Sequence, residues 1–196
     1  RKEIKTKRIE YDPKKPTITI LHTGGTIASR VDYRTGAVFA YFDPEDIIEM
    51  FPEISEIANI RSRLIFQMYS EDLETEHWQI LAKEIAKEID DGCNGIIITH
   101  GTDTLHYSAA ALAFALQNLP IPVLLVGSQR SSDRGSSDSA MNLICAANFI
   151  AKSDFSGVAI CMHGSTDYEY CYISPACKTK KMHTSRRDAA SRLLVC

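Results

Sequence analysis

The chain has 196 residues, of which 44% are hydrophobic and 24% are charged, and this is the composition of an ordinary globular protein with one substantial core. Its formal net charge of -3 excludes a global attraction to nucleic acid or to anionic membranes. Its apolar runs fall well short of the roughly 20 residues that span a bilayer, and its charged first ten residues are unlike a signal peptide.

Cysteine and histidine usage indicates neither a disulfide framework nor a metal site. None of the six cysteines forms a Cys-x-x-Cys pair, and a chain with this apolar content does not depend on disulfides. His22, His100 and His163 lie on different segments without the spacing of metal ligands. We therefore expect a cytoplasmic protein without a bound metal and without membrane association.

The first 16 residues are rich in Lys and Arg and contain two prolines. This composition predicts a basic linker or tail at 1–16, with a nucleic-acid arm as the less favoured alternative. We expect the folded domain to span 17–196. Its first element is a β-rich run at 18–21, which is closed at once by Gly24 and Gly25.

Strands and helices are predicted to alternate along the rest of the chain. Further apolar runs predict strands at 64–68, 95–99, 123–126 and 158–162. Helices are predicted to start at Asp43 and to cover 78–89, 108–116 and 140–151, from capping residues, Ala-rich composition and apolar steps of three and four residues. Strands that are continuous apolar runs are typical of a parallel sheet with helices on both faces. The fold class is therefore α/β, with a flavodoxin- or Rossmann-like sheet.

Small polar residues follow every predicted strand, at 22–26, 70–72, 100–104, 127–130 and 163–167. The carboxyl ends of parallel strands meet at one edge of a sheet, where ligands bind in open α/β folds. Any one of these loops is explained by the needs of helix caps and turns. The loops at 23–26 and 100–104 together favour a functional site.

The composition of these two loops indicates nucleophilic catalysis. Neither Gly-x-Gly-x-x-Gly nor the Gly-Lys-Ser/Thr of a phosphate-binding loop is present. A Thr hydroxyl in a glycine turn becomes a nucleophile when a base accepts its proton, and backbone N–H groups of such turns stabilise an oxyanion. The second loop adds another Thr and an Asp, and a lysine would complete a proton relay. The sequence therefore predicts acyl transfer by a Thr nucleophile.

These residues resemble two signature motifs of the bacterial-type L-asparaginase family. The motifs are Thr23-Gly24-Gly25-Thr26-Ile27-Ala28 and His100-Gly101-Thr102-Asp103-Thr104. The resemblance runs from about residue 16 onward and implies the amino-terminal α/β domain of that fold. Within the family the chain is most similar to the D subunits of archaeal glutamyl-tRNA(Gln) amidotransferases, through the segments 20–23, 128–138 and 181–188.

The resemblance assigns roles to seven residues. It implies that Thr26 is the nucleophile, that Thr102 and Asp103 are the second Thr and its acidic partner, and that Lys181 is the catalytic lysine. Substrate contacts are implied for Tyr33, Ser70 and Glu71. A lysine run is usually a solvated surface, and only the following His-Thr-Ser context selects Lys181 over Lys178 and Lys180.

The resemblance also implies a reaction and its partners. The D subunit releases ammonia from glutamine or asparagine, and the E subunit uses ATP and Mg²⁺ to activate glutamyl-tRNA(Gln) and to accept the ammonia. No cofactor is expected on this chain, and a homodimer is expected.

The chain departs from the family at its carboxyl end. It stops soon after Lys181, so we expect the second, smaller domain of the family to be missing and the substrate contacts to be incomplete. Two alternatives stay open: a free-standing L-asparaginase, and a non-catalytic binding or scaffold fragment.

Overall fold

A computed structural model describes residues 11–25, 27, 29–31, 38–40, 48, 50–129, 137–164, 170–182 and 190–192. The strands of the described part are β1 (Thr17–His22), β2 (Ser29–Val31), β3 (Val38–Ala40), β4 (Asn59–Leu64), β5 (Gly95–Thr99), β6 (Pro122–Val126), β7 (Gly157–His163), β8 (Cys171–Pro175), β9 (Thr179–Lys181) and β10 (Ala190–Arg192).

Six strands form the main sheet, in the order β4-β1-β5-β6-β7-β8. The first five are parallel, and β8 pairs antiparallel with β7 at one edge. The strands β2 and β3 form one antiparallel pair, and β9 and β10 form another. The predicted parallel α/β sheet is confirmed, with one antiparallel edge strand that its sequence pattern did not reveal.

Helices cover both faces of this sheet, as predicted. The described helices are α1 (Ile54–Ile57), α2 (Thr75–Asp90), α3 (Leu105–Ala115) and α4 (Ser139–Lys152). The core of one face joins Ile97 to α1 and α4, and the core of the other joins Ile96 and Ile98 to α2 and α3. Successive side chains of a strand point to opposite faces, so a continuous apolar run is needed to fill both cores.

The helix α2 forms where its sequence pattern predicts it. Leu81 and Ile85 are buried against the sheet, and Glu74 and His77 form a reciprocal capping box at its first turn. The chain leaves the helix at Gly92, whose φ of 78° suits a helix end. The expected helix start at Asp43 lies outside the described residues.

The prediction of a strand at 64–68 is wrong. The second strand of the main sheet in chain order is β4, which ends at Leu64. The sequence pattern did not predict β4 because this strand carries Arg61 and Arg63. Charged residues of this kind are typical of an edge strand. Arg63 pairs with Glu84 and Glu88 of α2, with N–O distances of 2.6 Å each. The apolar residues that follow form a loop, in which the N–H groups of Ile65 and Phe66 donate to the His22 carbonyl.

The segment before β1 contacts the domain where the structure describes it. Asn59 accepts a hydrogen bond from the Asp12 N–H, and its amide donates to the carbonyls of Asp12 and Lys15. Among the described residues, no helix is both long and apolar enough to cross a membrane.

Candidate active site

The loops that follow β1 and β5 are joined at the carboxyl edge of the sheet. The N–H and the hydroxyl of Thr23 both donate to the Thr99 carbonyl, at 3.1 and 2.8 Å. Beneath them, His22 Nδ1 lies 2.8 Å from the Thr99 hydroxyl and its Nε2 lies 2.9 Å from the Ser62 hydroxyl. The buried His22 ring therefore ties the carboxyl ends of β4, β1 and β5 together.

Glycines let these loops approach each other backbone to backbone. Gly25 has a φ of 85°, and a Cβ atom there would lie 2.7 Å from the Gly101 nitrogen. A Cβ atom on Gly24 would collide with the Met68 carbonyl oxygen, and one on Gly101 would lie 2.8 Å from Ser70 Oγ. The Thr-Gly-Gly turn, the loop at 68–72 and the loop after β5 are therefore in direct contact, which no residue with a Cβ atom would permit.

Lys181 forms hydrogen bonds with Thr102 and Asp103, which lie 79 and 78 residues before it in the chain. Its Nζ donates to Thr102 Oγ1 at 2.8 Å and to Asp103 Oδ1 at 2.7 Å. Its side chain is only 10% exposed, whereas that of Asp103 is 43% exposed. Lys178 and Lys180 are exposed. The geometry thus gives one buried lysine a hydroxyl and a carboxylate as partners.

Ser70 and Glu71 lie next to this group. Ser70 is buried, and its hydroxyl donates to Glu71 Oε2 at 3.0 Å. Its carbonyl accepts a hydrogen bond from the Thr104 hydroxyl at 2.6 Å, so this turn is anchored to the loop after β5. Glu71 is exposed.

Two of the expected site residues, Thr26 and Tyr33, lie outside the described residues. Their neighbours Gly25 and Ile27 are described, and Ile27 is buried in the core. The structure therefore brings five of the seven expected residues to one edge of the sheet: Ser70, Glu71, Thr102, Asp103 and Lys181.

His100 stabilises the loop after β5 through hydrogen bonds, as His22 does for the loop after β1. Its Nδ1 lies 2.6 Å from the Gly101 carbonyl oxygen and its Nε2 lies 2.8 Å from the Ser108 hydroxyl, which also accepts from Trp78 Nε1 at 2.9 Å. Burial lowers the pKa of His22 to about 4 and that of His100 to about 4. Both rings are therefore neutral at pH 7, and each is held in place by hydrogen bonds rather than by charge.

A buried polar network lies behind the loop after β6, and sequence reasoning missed it. The Asp138 carboxylate accepts from the Ser128 hydroxyl at 2.8 Å, from the Gln129 N–H and from the Asn142 amide. His163 Nδ1 lies 3.0 Å from Asp138 Oδ2. In the sequence, Asp138 falls at the end of a serine-rich polar stretch, and only its position just before an Ala-rich helix hints at a structural role.

The charge of Asp138 is maintained by these partners. Burial by itself raises the pKa of the Asp138 carboxyl, but the hydrogen bonds with His163, the Gln129 N–H and Ser128 outweigh it and lower the pKa to about 2. Asp138 directly precedes α4, yet its side chain makes no cap hydrogen bond to that helix. The network instead anchors both ends of the segment between Gln129 and Asp138.

Among the described residues, no group of three or more His, Cys, Asp and Glu side chains is arranged to hold a metal ion. The nitrogens of His22 and His100 contact hydroxyl and carbonyl groups, and His163 pairs with Asp138. The hydrogen bonds that join the Lys181 amine to the Thr102 hydroxyl and the Asp103 carboxylate are of a kind that supports proton transfer.

A small cleft opens beside Lys181. It is lined by Thr102, Leu105, His106, Gln129, Ile160, Met162, Thr179 and Lys181. Its lining includes apolar side chains together with the paired Lys181 and Thr102. His106 belongs to this cleft but to neither signature motif, so sequence reasoning did not single it out.

Comparison with known proteins shows the family to which the chain is similar. Residues 17–193 match the model described as "Asparaginase, N-terminal". The chain is 55% identical over 184 residues to the D subunit of the glutamyl-tRNA(Gln) amidotransferase of Pyrococcus furiosus, covering 93% of this chain and 42% of that protein. It is 56% identical over 173 residues to the corresponding protein of Thermococcus kodakarensis, covering 88% of this chain and 39% of that protein.

Solved structures show the same fold. A probable cytoplasmic L-asparaginase from Campylobacter jejuni matches with a TM-score of 0.77 at 33% identity, over 91% of this chain and 52% of that one. The thermostable L-asparaginase from Thermococcus kodakarensis matches with a TM-score of 0.77 at 32% identity, over 90% and 51%. The chain therefore spans about two fifths of these curated relatives and about half of these solved chains.

Proposed function

This chain belongs to the asparaginase family, and we propose that it is the amino-terminal domain of an amidohydrolase that releases ammonia from glutamine or asparagine for tRNA-dependent amidation. The observation that carries the proposal is the hydrogen-bonded group formed by Lys181, Thr102 and Asp103, beside the Thr-Gly-Gly turn. The identity of 52–56% to amidotransferase D subunits, against 32–33% to the asparaginases, favours the tRNA-dependent role.

In the proposed reaction, Thr26 is the nucleophile. Its hydroxyl oxygen bonds to the amide carbonyl carbon, the carbon–nitrogen bond breaks, and the hydroxyl proton ends on the departing ammonia. Water then cleaves the ester, which restores the Thr26 hydroxyl and releases the carboxylic acid. The N–H groups of the glycine turns are suited to stabilise the oxyanion that forms in each step.

Thr102 and Lys181 supply the proton relay of this proposal. The distance of 2.8 Å between Lys181 Nζ and Thr102 Oγ1 allows a proton to pass between a neutral amine and the hydroxyl. Asp103, at 2.7 Å, stabilises the ammonium that results. Ser70 and Glu71 contact the substrate in this proposal, as does Tyr33.

The partners are proposed from the relatives named as amidotransferase D subunits. The ammonia would pass to an E subunit, which uses ATP and Mg²⁺ to activate glutamyl-tRNA(Gln), and this chain itself would bind no cofactor. We further propose a cytoplasmic location, where the charged tRNA is used, and a homodimer.

Ammonia release from glutamine and from asparagine by the intact protein tests the proposal. We expect Thr26→Ala and Lys181→Met each to lower kcat by about 100- to 10,000-fold, because each removes one group from the proton-transfer chain. Lys178→Met is the matched control: this lysine is exposed three residues earlier, and its replacement leaves kcat unchanged.

Each other outcome has a defined meaning. Hydrolysis that survives Thr26→Ala would overturn the nucleophile assignment. Ammonia release that rises when E subunit, ATP and glutamyl-tRNA(Gln) are added supports the amidotransferase role. Ammonia release that does not change when they are added indicates a free-standing asparaginase. A complete absence of release from the intact protein, with its partner present, would leave a non-catalytic binding module.

A further inference from the structure

Gly127 directly follows β6 and lies against the side chain of Thr102, although it belongs to neither signature motif. A Cβ atom there would lie 2.8 Å from Thr102 Cγ2, 3.1 Å from Leu105 Cδ1 and 3.3 Å from the His100 carbonyl oxygen. Carbon atoms that are not bonded to each other pack at about 3.5–4.0 Å. The Thr102 methyl group therefore occupies the space that a side chain at position 127 would need.

The backbone conformation does not explain why position 127 is a glycine. Gly24 and Gly25 have a φ in the left-handed region that favours glycine, whereas Gly127 does not. An alanine is therefore compatible with the φ angle of this residue. What requires glycine at position 127 is the close approach of Thr102.

The backbone of Gly127 is held in place from two sides. Its N–H donates to Met162 Sδ at 3.3 Å, and its carbonyl accepts from the amide of the buried Asn142 at 3.0 Å. The carbonyl of the residue just before it accepts from the His100 N–H at 3.0 Å, which fixes its distance from the loop after β5. A side chain added at position 127 would therefore displace Thr102 rather than the backbone of Gly127.

The methyl and the hydroxyl of Thr102 are bound to the same carbon atom. Cγ2 faces Gly127, while Oγ1 accepts a hydrogen bond from Lys181 Nζ at 2.8 Å. A β-branched side chain occupies staggered rotamers, so the methyl leaves this contact through a χ1 rotation of about 120°. The same rotation carries the hydroxyl away from Lys181. The fit of the methyl against Gly127 thus selects the rotamer in which the hydroxyl meets the lysine.

We propose that Gly127 is a positioning residue for Thr102: the absence of a Cβ atom leaves room for the Thr102 methyl and so sets the rotamer that presents the Thr102 hydroxyl to Lys181. Gly127 acts through Thr102 and contributes no side chain of its own to the reaction. The catalytic part of this inference rests on the proposed function.

Moving one methyl group across this contact tests the inference, with kcat for ammonia release by the intact protein as readout. Gly127→Ala adds a methyl at the contact, and we expect kcat to fall by about 100-fold because the Thr102 hydroxyl is misplaced. Thr102→Ser removes the opposing methyl and keeps the hydroxyl. The double variant conserves volume, so its kcat returns to within about tenfold of that of Thr102→Ser alone.

Thr104→Ser is the matched control for this rescue. It also removes one methyl from the loop after β5 and keeps a hydroxyl, which in Thr104 donates to the Ser70 carbonyl. Thr104 is not among the groups nearest to the added Cβ atom. Combined with Gly127→Ala, it should therefore leave the loss in kcat unrelieved.

Unfolding of the same variants of the intact protein in urea tests the contact without an activity. Gly127→Ala lowers the urea midpoint, because it breaks the packing of Thr102 and its hydrogen bond with Lys181. Thr102→Ser lowers the midpoint of the unaltered protein but raises that of Gly127→Ala. Thr104→Ser shifts the midpoint equally in both backgrounds, as expected of a residue that is not coupled to position 127.

The two readouts separate this inference from the proposed function. If the intact protein releases no ammonia, the proposed function fails, and the urea midpoints alone decide whether Gly127 and Thr102 are coupled. In a protein that releases ammonia, an unchanged kcat in Gly127→Ala, or a loss that Thr102→Ser does not relieve, overturns the inference. Additive shifts of the urea midpoints in the Gly127 and Thr102 variants overturn it as well.

Discussion

At the scale of single residues, the site depends on backbone atoms as much as on side chains. Gly25 is in the left-handed region, with a φ of 85°, and its Cα faces the backbone of His100 and Gly101. The motif therefore needs glycine for two reasons, the torsion angle and the absence of a Cβ atom. Gly92 has a positive φ as well, but nothing lies within 4 Å of its Cβ position, so only the first reason applies to it.

Gly25→Ala and Gly92→Ala separate these two reasons. We expect Gly92→Ala to lower the free energy of unfolding by about 1 kcal/mol, the cost of placing a side chain in the left-handed region. Gly25→Ala carries the same torsional cost and also pushes two loops of the proposed site apart, so we expect it to lower stability by about 2–4 kcal/mol and to abolish the proposed ammonia release. Urea unfolding and the ammonia assay measure both effects. Equal stability losses in the two variants would contradict the role assigned to the close approach.

At the scale of elements, one hydroxyl couples two helices to the loop after β5. The Gly101 carbonyl can only accept, so the Nδ1 of the neutral His100 ring carries the proton and its Nε2 accepts from the Ser108 hydroxyl. The same hydroxyl accepts from Trp78 Nε1. Helix α2, helix α3 and the loop that carries Thr102 are therefore held in register by Ser108.

Ser108→Ala should consequently cost more than the loss of an ordinary surface hydroxyl. It leaves the half-buried Trp78 Nε1 and the buried His100 Nε2 without this partner, and we expect a loss of about 2–4 kcal/mol in the free energy of unfolding. Ser55→Ala, which removes one exposed hydrogen bond to the Pro52 carbonyl, costs about 0.5 kcal/mol or less. Chemical denaturation of both variants is the measurement, and a Ser108→Ala loss as small as the control would refute the coupling.

At the scale of the whole molecule, the sheet is stabilised by two apolar cores and by neutral polar groups at its functional edge. His22 and His100 lie under the joined ends of the strands, with pKa values of about 4. In the unfolded chain these groups titrate near 6.5. Between these two values the unfolded state binds more protons than the folded state, so stability falls as the pH decreases.

We therefore expect the free energy of unfolding to decrease between about pH 6.5 and about pH 4, by about 3 kcal/mol for each of the two histidines. Asp138, with a pKa of about 2 in the folded protein, adds to the loss only below its ordinary value of 3.8. Denaturant midpoints measured across this range test the expectation. His22→Gln should flatten the pH dependence by about half, whereas Ser55→Ala, which removes no ionisable group, should leave its slope unchanged. A flat profile in the unaltered protein would show that these rings are not held neutral.

Local patterns in the chain were sufficient for most of the parallel sheet and its helices, and they also indicated the loops of the proposed site. Buried parallel strands need apolar residues on both faces, so β1, β5, β6 and β7 appear as continuous apolar runs, and α2 appears through its steps of three and four residues. The glycine turns and hydroxyl groups follow strands directly in sequence. Each of these features depends on neighbours within a few residues, which is why a sequence pattern is able to carry them.

The tertiary structure alone decided which distant groups meet. Three lysines lie within four residues, and the sequence context indicated Lys181, but the packing of β9 against α3 is what brings its amine to Thr102, 79 positions away. The edge strand β4 is stabilised by ion pairs with α2 rather than by apolar alternation, so its bounds were mispredicted. The burial of Asp138 with His163 likewise joins the residue before α4 to the end of β7, which no local pattern links. Contacts of this kind arise from the packing of whole elements, and no pattern in the intervening sequence predicts them.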